Sequence, residues 1–319
     1  MPCVIFTSTI CDPLKRSKLS QGQRQGHLAM LAFSILVAGS FAFGGRVAND
    51  IAPVVLTTLR FTIGAIFLSS IVIIQGSFKR EHAKAAWRYF LMGFLMALYF
   101  VLMFEGLKTA SPVSMAAVFT LTPFIAAGFG WILLRQVTNH RIAGALLIGA
   151  IGALWVIFQG DLARVLALDI GRGEAIFFIG VAAHALYAPL VPRLNRGEPP
   201  AVFTAGMLIG GSVLLWIYAW PEMCHADYAA MPAAVWWVLA YVSLAATSTT
   251  FFLLQYASLR IPAAKVMAYT YFTPSVVLMW EMVLGAGTPK SIVLIGVLLC
   301  VCALIALLMQ GREGQSGGK

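Results

Sequence analysis

Eight residues could carry chemistry within long apolar runs: Arg60, Glu105, Phe119, His184, Tyr187, Lys265, Tyr269 and Glu281. Arg60 interrupts VVLTTLRFTIGAIFLSSIVII. An arginine at the centre of a bilayer costs about 2.5–3.5 kcal/mol on insertion scales, and less if its stem reaches the surface. About seven residues into its helix, Arg60 would lie roughly 10 Å below the boundary. Two readings stand for it: a structural anchor, snorkelling or bound to carbonyls and Glu105, or a cavity wall that meets a polar or anionic solute group. Glu105 is either a hydrated surface carboxylate or a proton carrier whose pKa is raised by desolvation. Lys265, in AAKVMAYTYFTP, either snorkels or offers a cation to a carboxylate or phosphate. Tyr269 and Phe272 follow it on the same helical face. Glu281 lies on the same run, but about 24 Å further along and roughly 160° around it. It is therefore expected to face Arg60 or water, with Trp280 beside it as an interfacial or a site residue.

His184, in VAAHALYAPL, is alone, whereas a metal site takes three or four ligands. It reads first as a hydrogen-bonded packing residue and second as a cavity residue with Tyr187. Phe119, Tyr187, Tyr269 and Tyr271 favour a flat aromatic solute if they line the cavity. The chain carries no GxxxxGK[ST] phosphate loop and no HExxH, and no paired carboxylate–histidine cluster falls in the apolar runs. These observations argue against an ATP-driven pump and an intramembrane enzyme, and no cofactor or metal is expected. The cysteines, Cys3, Cys11, Cys224, Cys300 and Cys302, form no CxxC pair, so a disulfide framework or zinc site is unsupported.

The elements that must position these residues are helices in lipid. Of 319 residues, 60% are hydrophobic and 11% charged, and the mean hydropathy is +0.87. A water-soluble fold carries about twice that share of charge. Runs long enough to cross a bilayer fall near 28–47, 52–75, 88–107, 111–134, 142–159, 173–192, 201–220, 234–258, 262–285 and 290–310. Residues 1–26 form a polar, basic tail ahead of an uncleaved signal anchor, and residues 311–319 a second tail. The net charge of +10 does not point to nucleic acid, because the basic residues sit in short connections. Alternate connections hold 15 and 5 of the lysines and arginines, and the richer side includes both termini. The positive-inside rule then places both ends in the cytoplasm.

The halves repeat. MAAVFTLTPFIAA of the fourth run matches VMAYTYFTPSVVL of the ninth, so that Pro123 falls on Pro274, Thr122 on Thr273 and Ala117 on Ala268. Five spans per unit insert the second unit upside down, the plan of alternating secondary transporters. The stretch AGSFAFGGRVANDIAPVVLTTLRF, with Gly39, Ser40, Pro53, Arg60 and Phe61, resembles the opening of EamA-type members of the drug/metabolite transporter superfamily. EGLKTASPVSMAAVFTLTPFIAA and QYASLRIPAAKVMAYTYFTP resemble the family's later stretch in each unit. Where the family often has Gly-Glu after the fourth helix, this chain has Leu134, Arg135 and Gln136. Ala38 stands where a Trp often precedes the Gly-Ser pair.

The expectation is an all-α integral membrane protein of ten transmembrane helices in two inverted five-helix repeats, 27–159 and 172–310. They would enclose a hydrated pocket. The resemblance implies an inner-membrane secondary transporter of a small polar or aromatic metabolite. Riboflavin uptake is one reading, export of amino acids or related metabolites another, and a non-transporting scaffold or receptor a third of a different class. The expected partners are the solute, the lipid bilayer and, as an open question, a second copy of the chain.

Overall fold

A computed structural model describes residues 21–135, 139–163, 170–258, 260–261, 263–285 and 290–310. Among them every long regular element is helical: α1 (Gln21–Val47), α2 (Pro53–Ile74), α3 (Trp87–Leu107), α4 (Pro112–Phe119), α5 (Thr122–Leu134), α6 (His140–Ile157), α7 (Arg172–Leu194), α8 (Pro200–His225), α9 (Ala233–Ser243), α10 (Thr250–Ser258), α11 (Ala263–Ala268), α12 (Thr273–Val283) and α13 (Ser291–Gln310). Among the described residues nine spans, counting α4 with α5 and α9 with α10, are long and apolar enough to cross a membrane. The tenth is the ninth in chain order, and it is built of α11, a 3₁₀ turn at Tyr269–Phe272 and α12. The apolar run expected near 262–285 is thus helical in pieces. The first helix also begins within the expected polar tail, at Gln21.

Local chemistry sets these limits. Pro53, Pro112 and Pro200 open α2, α4 and α8 at N1, where the missing N–H satisfies no helical bond anyway. Ser111 caps α4 by accepting from the Ser114 amide. Pro123 and Pro274 open α5 and α12 just after the two breaks, because a proline cannot donate to the preceding turn. The repeat thus places the same interruption in the fourth and the ninth span.

Packing obeys the same two-fold relation. A Cβ on Gly152 in α6 would lie 2.7 Å from the Gly296 carbonyl oxygen in α13, and one on Gly296 would lie 2.6 Å from the Gly152 carbonyl oxygen. This reciprocal contact marks the pseudo-axis. Away from it, Gly173 at the start of α7 packs on Thr109 and Ala110, and Gly26 in α1 packs on Arg260 and Ile261. The alignment that lays Pro123 on Pro274 lays those two pairs of residues on each other. A two-fold relation between units of five spans each requires the units to be inverted in the membrane. Small residues permit close approach: a Cβ on Gly44 would lie 2.6 Å from the Phe104 ring, and one on Gly206 2.9 Å from the Tyr89 ring.

The side of the membrane where α1 begins is called here the N-side, and the other the far side. On the N-side a buried ion pair joins the units. Arg88 Nη2 donates to Glu198 Oε1 at 2.7 Å, while Arg88 Nη1 bonds the Leu194 carbonyl and Nε the Ala85 carbonyl at 3.2 Å. Glu198 also accepts from the Arg196 amide at 2.5 Å. Burial alone would raise the Glu198 pKa, but the bonds from Arg88 and the backbone outweigh it and hold the carboxyl below its usual range.

Candidate functional site

The two units meet at a cluster of rings. Tyr99 and Phe100 of α3, Phe119 of α4, His184 and Tyr187 of α7 and Phe251 of α10 are buried together. The His184 ring lies 4.8 Å from Tyr99 and 5.2 Å from Phe119, and is stacked at 6.4 Å on Tyr187. Gln255 Nε2 donates to Tyr187 Oη at 3.0 Å. Within this cluster lies a cavity of about 10 Å³ lined by Ser40, Tyr99, Phe100, Phe119, His184 and Phe251, among others. That is room for about one water. In this conformation aromatic side chains from both units fill the space around that cavity. Larger hollows lie elsewhere, an apolar lateral groove of about 400 Å³ between α2, α3 and α8 and a far-side hollow of about 470 Å³ beside Asp50 and Glu222.

Two atoms lining the small cavity lack partners among the described residues, Ser40 Oγ and His184 Nδ1. Each is 2% exposed as a residue. Leaving a buried polar atom unsatisfied costs about 1–3 kcal/mol, so each such atom calls for an explanation, of which a bound water or other ligand is one.

Arg60 stands behind the Phe100 and Ala246 wall of the same cavity. It is fully buried, and its expected partner is corrected by the structure. Nε and Nη2 donate to Thr247 Oγ1 at 2.9 and 2.5 Å, and Nη2 also approaches the carbonyls of Val242 and Ala246 at 3.3 and 3.5 Å. The Phe100 ring covers the guanidinium at 3.7 Å, a cation–π contact. These carbonyls are available because Leu244–Thr249 forms a π-turn between α9 and α10, whose wider winding disturbs the i→i−4 ladder. Thr247, Ser248 and Thr249 each bond the carbonyl five residues back, at 2.7, 2.9 and 2.9 Å. Glu105 instead accepts from Lys108 at 2.8 Å near the far side, one turn along its own helix.

Glu281 is corrected likewise. It lies toward the far side as expected, but its partner is Arg46 and not Arg60: it accepts from Arg46 Nη1 at 2.9 Å. Arg46 Nη2 adds a contact of 3.5 Å to the Leu284 carbonyl, and Phe43 packs on Trp280 with centroids 5.0 Å apart. This far-side tie joins the end of α1 to the end of α12. At the N-side, Arg193 in the last turn of α7 donates to the Leu133 carbonyl at the end of α5, at 3.2 Å. Leu133 and Leu284 are equivalent in the repeat, so each face is closed by an arginine of one unit reaching the same carbonyl of the other.

Of the residues singled out from the sequence, Phe119, His184 and Tyr187 come together at the centre. Tyr269 does not join them. Its hydroxyl meets His27 Nδ1 at 2.9 Å and its carbonyl accepts from Ser34 Oγ at 2.8 Å, so it ties α1 to the 3₁₀ turn on the N-side. The Lys265 side chain lies outside the described residues. Ser40, Tyr99, Phe100, Thr247 and Gln255 were not among the expected site residues. The run of hydroxyls in SLAATSTT, from Ser243 to Thr250, is the signal that points to the π-turn.

A family model for EamA-like transporters matches the chain twice, over residues 24–158 and 171–309. The chain belongs to the EamA-like transporter family. It is a membrane transporter of small molecules, and each match of the family model covers one five-span unit of the fold. A solved structure titled only as the crystal structure of a protein shares the EamA-like chain's fold, with a TM-score of 0.69 and 19% identity over 93% of this chain and all of that one. No curated protein matches the sequence.

Proposed function

We propose that the chain moves a small solute with hydrogen-bonding groups and an apolar or aromatic body through the Ser40–His184 centre by alternating access. The observation that carries this reading is a pair of polar atoms, unpartnered among the described residues, on residues that line a largely aromatic cavity where both units meet. Room for a single water describes a closed centre, and a solute is admitted when one end tie opens. The Arg46–Glu281 and Arg193–Leu133 ties support two such openings, one on each face. The 15-to-5 charge asymmetry supports the N-side as cytoplasmic in a bacterial-type inner membrane.

Proteoliposomes containing the full chain test the reading. Riboflavin and aromatic amino acids are the first solutes to assay, in both directions. Flux that exceeds empty liposomes and falls at least tenfold in His184→Ala supports it. Flux of a solute unaffected by changes at both Ser40 and His184 overturns this centre as the path.

A further inference from the structure

Arg60 is a fully buried cation with no carboxylate among its contacts. A guanidinium stays protonated in proteins, and an isolated charge in a low-dielectric interior is strongly unfavourable until an opposite charge or several hydrogen bonds compensate it. Compensation here is partial. Nε and Nη2 are engaged by one hydroxyl and two carbonyls, and the Phe100 face supplies a quadrupole. Nη1, with two N–H groups, has no partner among the described residues. The acids considered as partners are committed elsewhere, Glu105 to Lys108 and Glu281 to Arg46.

Resting on the transport reading above, we infer that the transported solute carries an anionic oxygen group, a carboxylate or a phosphate ester, and that Arg60 Nη1 is its recognition donor. Phe100 and Ala246 both touch Arg60 and both line the central cavity. The guanidinium thus lies one side chain's thickness behind the cavity wall, and the Phe100 ring must move for a solute to reach it. Ser40 Oγ and His184 Nδ1, on other walls of that cavity, then meet the rest of the solute. Charge-assisted bonds to a guanidinium are about twice as strong as neutral ones. An anionic solute should therefore bind on the order of 10- to 100-fold tighter than its neutral isostere.

The test is binding to the purified full chain in nanodiscs with matched pairs at constant ionic strength: benzoate against benzamide, indole-3-acetate against indole-3-acetamide, phenyl phosphate against phenol. Expected is a preference of at least tenfold for the anion within at least one pair, lost in Arg60→Gln. Wild-type preferences require no variant, so they remain decisive should Arg60→Gln fail to fold. Neutral members binding as well as anions, or a preference kept in Arg60→Gln, overturns the inference while leaving the transport reading intact. Equal competition by chloride or inorganic phosphate alone also overturns it, since it locates a free-anion site. Binding by none of the anions overturns it too, and solute flux in the proteoliposomes then decides the transport reading separately.

Discussion

Removing the Glu281 charge should unbalance the two faces of the transporter. Glu281→Gln keeps the shape of the side chain and removes the carboxylate from Arg46, leaving the weaker contacts of Arg46 to Ala42 and Leu284 carbonyls at 2.7 and 3.5 Å. The Arg46 side chain is 35% exposed and that of Glu281 14%. The pair is therefore worth the upper end of the exposed range, about 1 kcal/mol. If the tie exists only while the far side is closed, its loss raises the far-side-open population about fivefold relative to the closed one. Spin labels on Asn49→Cys and Val283→Cys, both at exposed far-side positions, report this as growth of a longer-distance component in pulsed electron resonance. The native cysteines are first replaced. Arg193→Met should not produce that component, because it loosens the N-side. Unchanged distances in Glu281→Gln, or the same far-side opening in Arg193→Met, would refute a separate tie on each face.

Three further outcomes are expected. Glu198→Gln leaves Arg88 a buried, unpaired cation and should cost about 3–5 kcal/mol, while Arg88→Met with Glu198→Gln should recover part of that loss in denaturation of the detergent-solubilised protein. Because the folded Glu198 carboxyl titrates below its unfolded value of about 4.3, the pair stabilises the fold above that pH. That stability is lost as pH falls from there through the folded pKa, so an acid titration of the wild type should show a loss that Glu198→Gln lacks. Gly296→Val should destabilise by more than about 2 kcal/mol, read as a lower melting temperature, since its Cβ meets the Gly152 backbone, which cannot yield as a side chain does.

The helical plan is legible from the sequence because apolar runs and prolines impose it directly. Ten runs and the Pro123–Pro274 match lead to two inverted units without reference to coordinates. What the sequence conceals is pairing across distance. Arg60 lies one helical turn from plausible acids in no linear sense, and its acceptor is a threonine 187 residues on, available only because the intervening helix widens into a π-turn. Glu281 likewise finds Arg46, 235 residues away, through the crossing of α1 and α12. Tyr269 stands at the start of the 3₁₀ turn, and its hydroxyl meets His27, 242 residues away, a contact with no signal in the sequence. Phe119, His184 and Tyr187 stand beside Ala116, Ala117, Ala183 and Ala185, all buried, small residues of the kind that let membrane helices approach closely.

The most direct measurement is the reactivity of Ser40→Cys, in an otherwise cysteine-free chain, toward a membrane-impermeant thiol reagent applied to each side of sealed vesicles in turn. The account predicts slow labelling from both sides, faster from the far side in Glu281→Gln, and protection by a transported solute. A residue that is never labelled from one of the two sides, in a protein that still transports, would contradict it.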